Sequence, residues 1–440
     1  MNTPIIDFVK EYEQKNMARF HMPGHKGKNF LGVEMYDITE IDGADVLGAA
    51  DGIIAESENN ASVLFGTGHT YYTTQGSTTA ICAMLALVKK QNGIILAARN
   101  VHKAFVHACA LLDMDVQWLM DSGASTVLKC EVTAKTVEDK INSMAQKPVA
   151  VYLTSPDYLG NIQDIPQISK VCSKHNIPLL VDNAHGAYLG FLETSLHPIH
   201  LGATVCCDSA HKTLPVLTGG AYLHISKDAP KELIDNARAS LALFSSTSPS
   251  YLVMQSLDLC NRYINGNIRT DLLNCVNKIN DLKAFIREKG FCVTDSEPLK
   301  ITLDCYTSGY TGEEMATILR NNNAEPEFYD DRFLVLMITP QNDEEDFKLL
   351  YNVFSDLKPK TAIPENGLKV NLPVKRMSVR DAVFAETETV DVDNSIGRIC
   401  ASPTVSCPPA VPIAVSGEEI TKEVAELFKY YSIDKILVVK

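Results

Sequence analysis

Positive charge is the first thing this chain is short of. Its 40 Lys and Arg stand against 54 Asp and Glu, a net charge of -14. A polyanion is therefore disfavoured, and nucleic acid is not expected as a partner. Long apolar runs are missing too. No stretch approaches the roughly 18 consecutive apolar residues of a membrane span. The opening MNTPIIDFVKEYEQK has neither a basic leader nor an uninterrupted apolar core, so we expect a cytoplasmic protein with no membrane partner. Cys-x-x-Cys does not occur. The 12 cysteines are scattered apart from the adjacent Cys206 and Cys207, which suits neither zinc spacing nor a disulfide, and reduced, buried thiols are expected. Gly66-Thr-Gly68 lacks the third glycine of a dinucleotide fingerprint, where Tyr71 stands instead. His21, His25, His197 and His200 have no nearby Cys or Glu to complete a tetrahedral set. They read as loop or helix-surface histidines, and no metal is assigned.

What is present is an ordinary globular composition, 45% hydrophobic and 21% charged over 440 residues. That length suits one catalytic-size domain with smaller appendages. After a turn-rich arm, His21-Met-Pro-Gly-His-Lys-Gly27, short apolar runs such as GIILAA, PVAVYLTS, IPLLVD and ATVCCDSA alternate with helix-like segments. Continuous apolar strands separated by helices predict an α/β fold with a mainly parallel sheet covered on both faces. LALFSSTSPSYLVMQSLDLCNRYI reads as a long helical stretch, and beyond it the order β-β-α-β-α predicts a smaller α+β domain. A Pro- and Lys-containing linker, KPKTAIPENG, then leads to a segment with Pro403, Pro408, Pro409 and Pro412, followed by a helix over EEITKEVAELFKYY. The expected divisions are an arm over 1–45, a large domain over 46–270, a small domain over 271–358 and a C-terminal segment over 359–440.

Three local patterns carry chemistry. Gly76, Ser77 and Thr78 precede the apolar helix AICAMLALV, where free N–H groups and the helix dipole favour a phosphate; an ordinary Ser/Thr cap is the plainer alternative. The strand Ile177 to Val181 ends at Asp182, followed by Asn183-Ala-His185-Gly186. In a parallel sheet such strand ends line the ligand crevice, and a carboxylate there is costly unless it meets a cation. A second strand ends at Ser209-Ala-His211-Lys212, where the lysine is either a nucleophile toward a carbonyl or a solvated surface amine. A helix-start cradle, a strand-end Asp and a lysine about thirty residues later is the order expected for pyridoxal phosphate (PLP) on the aspartate-aminotransferase type of fold.

Arg19-Phe-His-Met-Pro-Gly-His-Lys-Gly27, Asp37-Ile-Thr-Glu40, Arg99-Asn-Val-His-Lys103, Thr154-Ser-Pro-Asp-Tyr158, Asp182-Asn-Ala-His-Gly186 and Asp208-Ser-Ala-His-Lys-Thr213 together resemble the Orn/Lys/Arg decarboxylase family. The likeness continues through Ile338-Thr-Pro340 and Pro408-Pro-Ala-Val-Pro412 to Gly417-Glu418, and looks like the short form of the family. It implies that Lys212 carries PLP, that Asp182 pairs with the pyridine nitrogen, and that His102 stacks on the ring. It also implies that Gly76, Ser77 and Thr78, with Ser209 and His211, hold the phosphate, and that His185 lies near the ring. Tyr158 and Glu418 are the implied substrate residues, with Glu418 the first choice for the distal cation; on position alone it reads equally as a charge at the start of the following helix. Four departures are visible: Gln75 for Asn, Asp157 for Thr, Asn183 for Glu and Ser416 for Pro, of which Asp157 and Ser416 bear on substrate identity.

The implied activity is decarboxylation of a basic amino acid, arginine to agmatine ahead of lysine to cadaverine or ornithine to putrescine, in a homodimer or higher even oligomer. The rival readings are a PLP aminotransferase or carbon-carbon lyase, for which Arg332 or Arg398 would have to clamp a carboxylate, and a non-catalytic relative.

Overall fold

Strands buried along nearly their whole length need both faces of their sheet covered, and six of the seven short strands up to Ile225 fit that description, Asp115–Leu119 being the partly buried exception. The structure is a computed structural model that describes residues 1–90, 93–120, 126–365, 370–402, 405–407 and 411–440. The predicted features at Pro403, Pro408 and Pro409, and the end of the expected linker at Asn366 and Gly367, lie outside those residues. The strands are β1 (His69–Thr73), β2 (Ile94–Ala98), β3 (Asp115–Leu119), β4 (Ala150–Thr154), β5 (Leu179–Asp182), β6 (Val205–Asp208) and β7 (Ala221–Ile225). They are the strands of a seven-stranded, mainly parallel sheet, as the alternation of apolar runs and helices predicted.

The chain forms two compact units, Met1–Lys89 with Cys172–Thr270, and Lys90–Val171 with Asp271–Lys440. In the first, the strand order is β1-β7-β6-β5. β5 and β6 run parallel, with Asp182 opposite Cys207. β7 is antiparallel to both β6 and β1. The reason is local: only a one-turn helix, Ala210–Thr213, separates β6 from β7, too little to cross over and return parallel. Helices α1 (Pro4–Gln14), α2 (Ile53–Phe65) and α3 (Ser77–Val88) belong to this unit. α3 is buried continuously from Thr79 to Leu85, so it is apolar all round rather than amphipathic.

In the second unit the order is β4-β2-β3, all parallel. α4 (Lys103–Leu112) lies between β2 and β3 in the chain. The predicted α+β portion is a four-stranded antiparallel sheet of β8 (Val293–Thr294), β9 (Lys300–Asp304), β10 (Phe328–Tyr329) and β11 (Phe333–Met337), in the order β10-β11-β9-β8. Its helices Gly312–Asn321 and Glu344–Asp356 both open on capping boxes, at Thr311/Glu314 and Asp343/Asp346. Two antiparallel pairs complete the unit: β12 (Thr387–Asp391) with β15 (Lys435–Val439), and β13 (Val405–Cys407) with β14 (Val411–Ala414). An apolar cluster including Phe328, Val335, Ile413, Phe428 and Val438 packs beneath them.

Two predicted helices begin or break elsewhere. The long helical stretch is interrupted after the helix Lys231–Ala242, and a new helix, Tyr251–Gly266, starts behind Pro249 with the Ser250 hydroxyl accepting the Val253 N–H. The C-terminal helix starts only at Lys422, capped by Thr421, so Glu418 is not a first-turn charge. No helix among the described residues is long and apolar enough to cross a membrane. Eleven described cysteines carry free thiols, ten of them buried.

Candidate active site

The ends of β5 and β6 bring the local patterns of the first unit together. Asp182, the last residue of β5, is almost fully buried. One of its oxygens accepts the Ala184 N–H at 3.1 Å and lies 3.6 Å from the Cys207 thiol. β6 stops at Asp208, and the one-turn helix that follows carries Lys212, whose Nζ is 2.9 Å from His185 Nε2. Ser209 Oγ donates to Ser77 Oγ at 2.9 Å, joining the lysine turn to the first residue of α3. His211 Nδ1 is 3.0 Å from the Gly220 carbonyl.

The α3 terminus is open. Its cap is Gly76, which has no side chain to cover the first-turn N–H groups. Gly76 adopts φ +75° while its N–H bonds the Gly219 carbonyl at 2.8 Å, a left-handed conformation that favours glycine. Gly219 is equally constrained, because an added Cβ would sit 2.8 Å from the Thr74 carbonyl oxygen. Ser77 and Thr78 occupy the first two positions of α3, Ser77 half-buried and Thr78 exposed. Two hydroxyls, an uncovered helix start, a lysine amine and a buried carboxylate are the donor set that a phosphorylated aldehyde with a basic ring nitrogen requires, and the residues present fit that group.

The remaining predicted residues lie in the second unit. His102 caps α4, its Nδ1 accepting the Ala104 N–H at 3.1 Å. Tyr158 is half-buried with its ring 5.9 Å from that of Phe328. Asp157 is buried and accepts from the backbone and side-chain amides of Asn161, and burial pushes its carboxyl up to about 6. Glu418, expected to face a cation of the substrate, faces one of its own chain. Its Oε2 is 3.1 Å from Arg99 Nη2 and accepts the Val415 N–H at 2.7 Å. Arg99 also donates to the carbonyls of Pro412 and Ile413 at 2.9 and 3.2 Å, and its guanidinium lies 5.0 Å from the Trp118 ring centre. Burial raises the Glu418 carboxyl, an effect Arg99 partly offsets. Ser416 is buried and donates to the Ser402 carbonyl at 2.9 Å.

Sequence reasoning missed a second set in the first unit. His197 was expected on a loop or helix surface; it is fully buried, and with His224 it bonds Asp208 at 2.9 and 3.1 Å. Asn183, noted only as a departure from the family wording, donates to the other Asp208 oxygen at 2.7 Å. Nothing in the spacing marks these partners. The one local signal was a carboxylate at the end of an apolar strand, the same signal that singled out Asp182.

A mostly parallel α/β sheet with a lysine and a carboxylate just beyond and at adjacent strand ends is the arrangement expected of PLP-dependent enzymes of the aminotransferase fold type. Within that class, the model of "Orn/Lys/Arg decarboxylase, major domain" matches residues 3–345 and that of the C-terminal domain matches 369–435; the chain belongs to this family of basic amino acid decarboxylases. Among its relatives, an arginine decarboxylase of Bacillus anthracis is 27% identical over 97% of this chain and 92% of its own length. The uncharacterized protein YaaO of Bacillus subtilis is 27% identical over 96% of this chain and 93% of its own. The constitutive lysine decarboxylase of E. coli superimposes with a TM-score of 0.79 at 17% identity, covering 100% of this chain and 82% of that one, a likeness of fold.

Proposed function

We propose that this chain is a PLP-dependent decarboxylase of a basic amino acid, with arginine as its first substrate. The observation that carries the reading is the cluster at the ends of β5 and β6: the Lys212 amine against His185, with Asp182 on the neighbouring strand and the Ser209–Ser77 contact at the open start of α3. Bound PLP supplies a conjugated, protonated ring that accepts the electrons left when carbon dioxide departs. Lys212 supplies the amine that attaches the cofactor, and Asp182 keeps a proton on the ring nitrogen. Ser77, Thr78, Ser209 and His211, with the Gly76 turn, take the phosphate and fix the position of the ring. His185 holds a hydrogen bond at the lysine amine, and His102 is read, on the family resemblance alone, as the residue that stacks on the ring.

One observation favours decarboxylation over transamination. A transaminase needs an arginine for the α-carboxylate, and both rival arginines are occupied: Arg332 by Asp304 and Glu365 at 2.7 and 2.9 Å, Arg398 by Glu388 at 2.6 Å. Arginine is placed ahead of lysine and ornithine because the full-length Bacillus anthracis relative is named an arginine decarboxylase. The acting form is read as a homodimer. The arm of the first unit displays Phe20, Phe30 and Leu31 at 95%, 78% and 88% exposure, apolar surface that a second copy would cover.

A screen of carbon dioxide release over arginine, lysine, ornithine and neutral amino acids tests the activity. Release is expected from a basic amino acid, arginine first, and it should fall at least about 1000-fold in Lys212→Ala. Asp182→Asn should keep much of the cofactor affinity and lose most of the turnover, because the phosphate contacts remain while the ring proton is lost. Keto acid in place of carbon dioxide would move the chain to the aminotransferase reading, and a monomer with full activity in sedimentation would remove the dimer.

A further inference from the structure

One cluster of chemistry-bearing side chains in the first unit has no part in that reading. Asp208, His197 and His224 are each at 0% exposure, and one ligand atom from each lies within 4.8 Å of the others, as a metal site would require. The ring protons argue otherwise. His197 Nδ1 accepts the Ile199 N–H at 3.3 Å, so its proton sits on Nε2, which donates to Asp208 Oδ2 at 2.9 Å. An imidazole bound to a metal has the reverse arrangement, with its proton on the far nitrogen, facing an acceptor. His224 Nε2 approaches the same oxygen at 3.1 Å, with its Nδ1 2.9 Å from Thr70 Oγ1. Asn183 Nδ2 donates to Asp208 Oδ1 at 2.7 Å. The site is a hydrogen-bonded anion with three N–H donors.

Its place in the chain indicates what it holds. Asp208 is the last residue of β6, so the turn carrying Ser209 and Lys212 leaves the sheet from it. Asn183 directly follows Asp182, and its own N–H bonds the Cys207 carbonyl at 2.9 Å. One carboxylate thus ties the strand end bearing Asp182 to the strand end from which Lys212 departs. Through His224 it also reaches β7, and through His197 the turn Pro198–Leu201. Apolar side chains of equal volume would fill this space without the cost of burying an anion. Directional bonds from three other segments do what apolar packing does not: they define one distance between the two strand ends.

We propose that Asp208, gripped by His197, His224 and Asn183, is a positioning residue that sets Lys212 against Asp182. The inference rests on the roles given above to those two residues. It is tested on the holoenzyme by the rate at which borohydride labels Lys212 in the presence of PLP, by the visible absorbance of the bound cofactor, and by kcat and KM. In Asp208→Asn an amide NH2 replaces one acceptor oxygen and meets the N–H groups that donated to it; labelling should slow and kcat should fall, each by about 100-fold, with KM within about threefold, the size expected of a reacting group displaced by about 1 Å. His224→Gln keeps an N–H directed at Oδ2 and should stay within about threefold of wild type, whereas His224→Leu should behave like Asp208→Asn. That contrast decides the matter if Asp208→Asn does not fold, since a purely space-filling role predicts leucine to be tolerated at least as well as glutamine. Wild-type labelling, absorbance and kcat in His224→Leu would overturn the proposal, as would one equivalent of tightly bound metal in the purified protein. The labelling rate needs no amino acid. A substrate screen with no carbon dioxide release therefore defeats the decarboxylase reading alone, while an unlabelled Lys212 in the wild type defeats both.

Discussion

Asp208 and Asp258 are two buried carboxylates of the first unit, each accepting three hydrogen bonds, and they are pushed in opposite directions. Asp258 lies in the helix Tyr251–Gly266 and accepts the N–H groups of Ile5 and Ile6 at 3.0 and 3.1 Å, capping α1, together with the Ser57 hydroxyl. Burial dominates there and raises its carboxyl to about 6. Burial acts on Asp208 as well, yet the imidazoles of His197 and His224 outweigh it and hold that carboxyl well below the usual range. The number of donors is the same, so the difference lies in their kind: two imidazole N–H groups and a side-chain amide hold the carboxylate of Asp208, where two peptide N–H groups and a hydroxyl hold that of Asp258.

The two groups therefore contribute to stability with opposite pH dependence. For Asp208 the folded pKa is depressed, so its contribution is present above about 3.9, the unfolded value, and is lost as pH falls. For Asp258 the folded pKa is raised, so its contribution is full below about 3.9 and is lost as pH rises through about 6.

The comparison is sharpened most by a third carboxylate that has a full cation. Glu418 in the second unit is paired with Arg99, both nearly buried, yet burial still raises its carboxyl. Removing the cation should leave an uncompensated buried acid: Arg99→Met is expected to cost about 3–5 kcal/mol in urea unfolding at pH 7, and Arg99→Met with Glu418→Met should recover much of it. A loss under about 1 kcal/mol in the single variant would mean that the carbonyls of Pro412 and Ile413, and not the charge, are what Arg99 serves.

A smaller effect is expected at Asp258. Asparagine does not titrate, so Asp258→Asn should gain about 2–3 kcal/mol relative to wild type between pH 4 and pH 7, the linkage value of a shift of about two pH units. Unfolding curves at several pH values would show it, and a gap independent of pH would break the contrast with Asp208.

The smallest effect is expected at Glu34, which accepts the N–H groups of Phe30, Leu31, Gly32 and Val33 and is thereby lowered to about 2. Its depressed pKa means that this support is present above about 4.3 and fails as pH falls toward 2. Glu34→Gln should accelerate hydrogen exchange at those four amides at neutral pH with little change in global unfolding. Unchanged exchange there would show that the display of Phe30 and Leu31 does not depend on the carboxylate.

How much was legible in the sequence depends on how far apart the partners lie. The open start of α3 at Gly76 and Ser77, the strand end at Asp182 and the turn bearing Lys212 are local features, each written in a few neighbouring residues; they pointed to the cofactor class, and the motifs spread along the chain pointed to the family. The α/β class followed from continuous apolar runs, because burial on both faces removes polar alternation. Helix limits were less legible: the C-terminal helix starts at Lys422 because Thr421 caps it, although the helical pattern extends back to Glu418.

What the sequence by itself determined, then, is the α/β class with most of its parallel strands, the order along the chain of the motifs proposed to hold the cofactor, and the chemistry those motifs can support. Only the tertiary structure decided which charges meet: that Glu418 answers to Arg99, 319 positions away, and that Asp208 is shared by His197 and His224, 11 and 16 positions away on different segments. The physical reason is that a hydrogen bond needs direction and a buried charge needs a partner within a few ångströms, and neither condition leaves a trace in residue spacing until the segments are packed together.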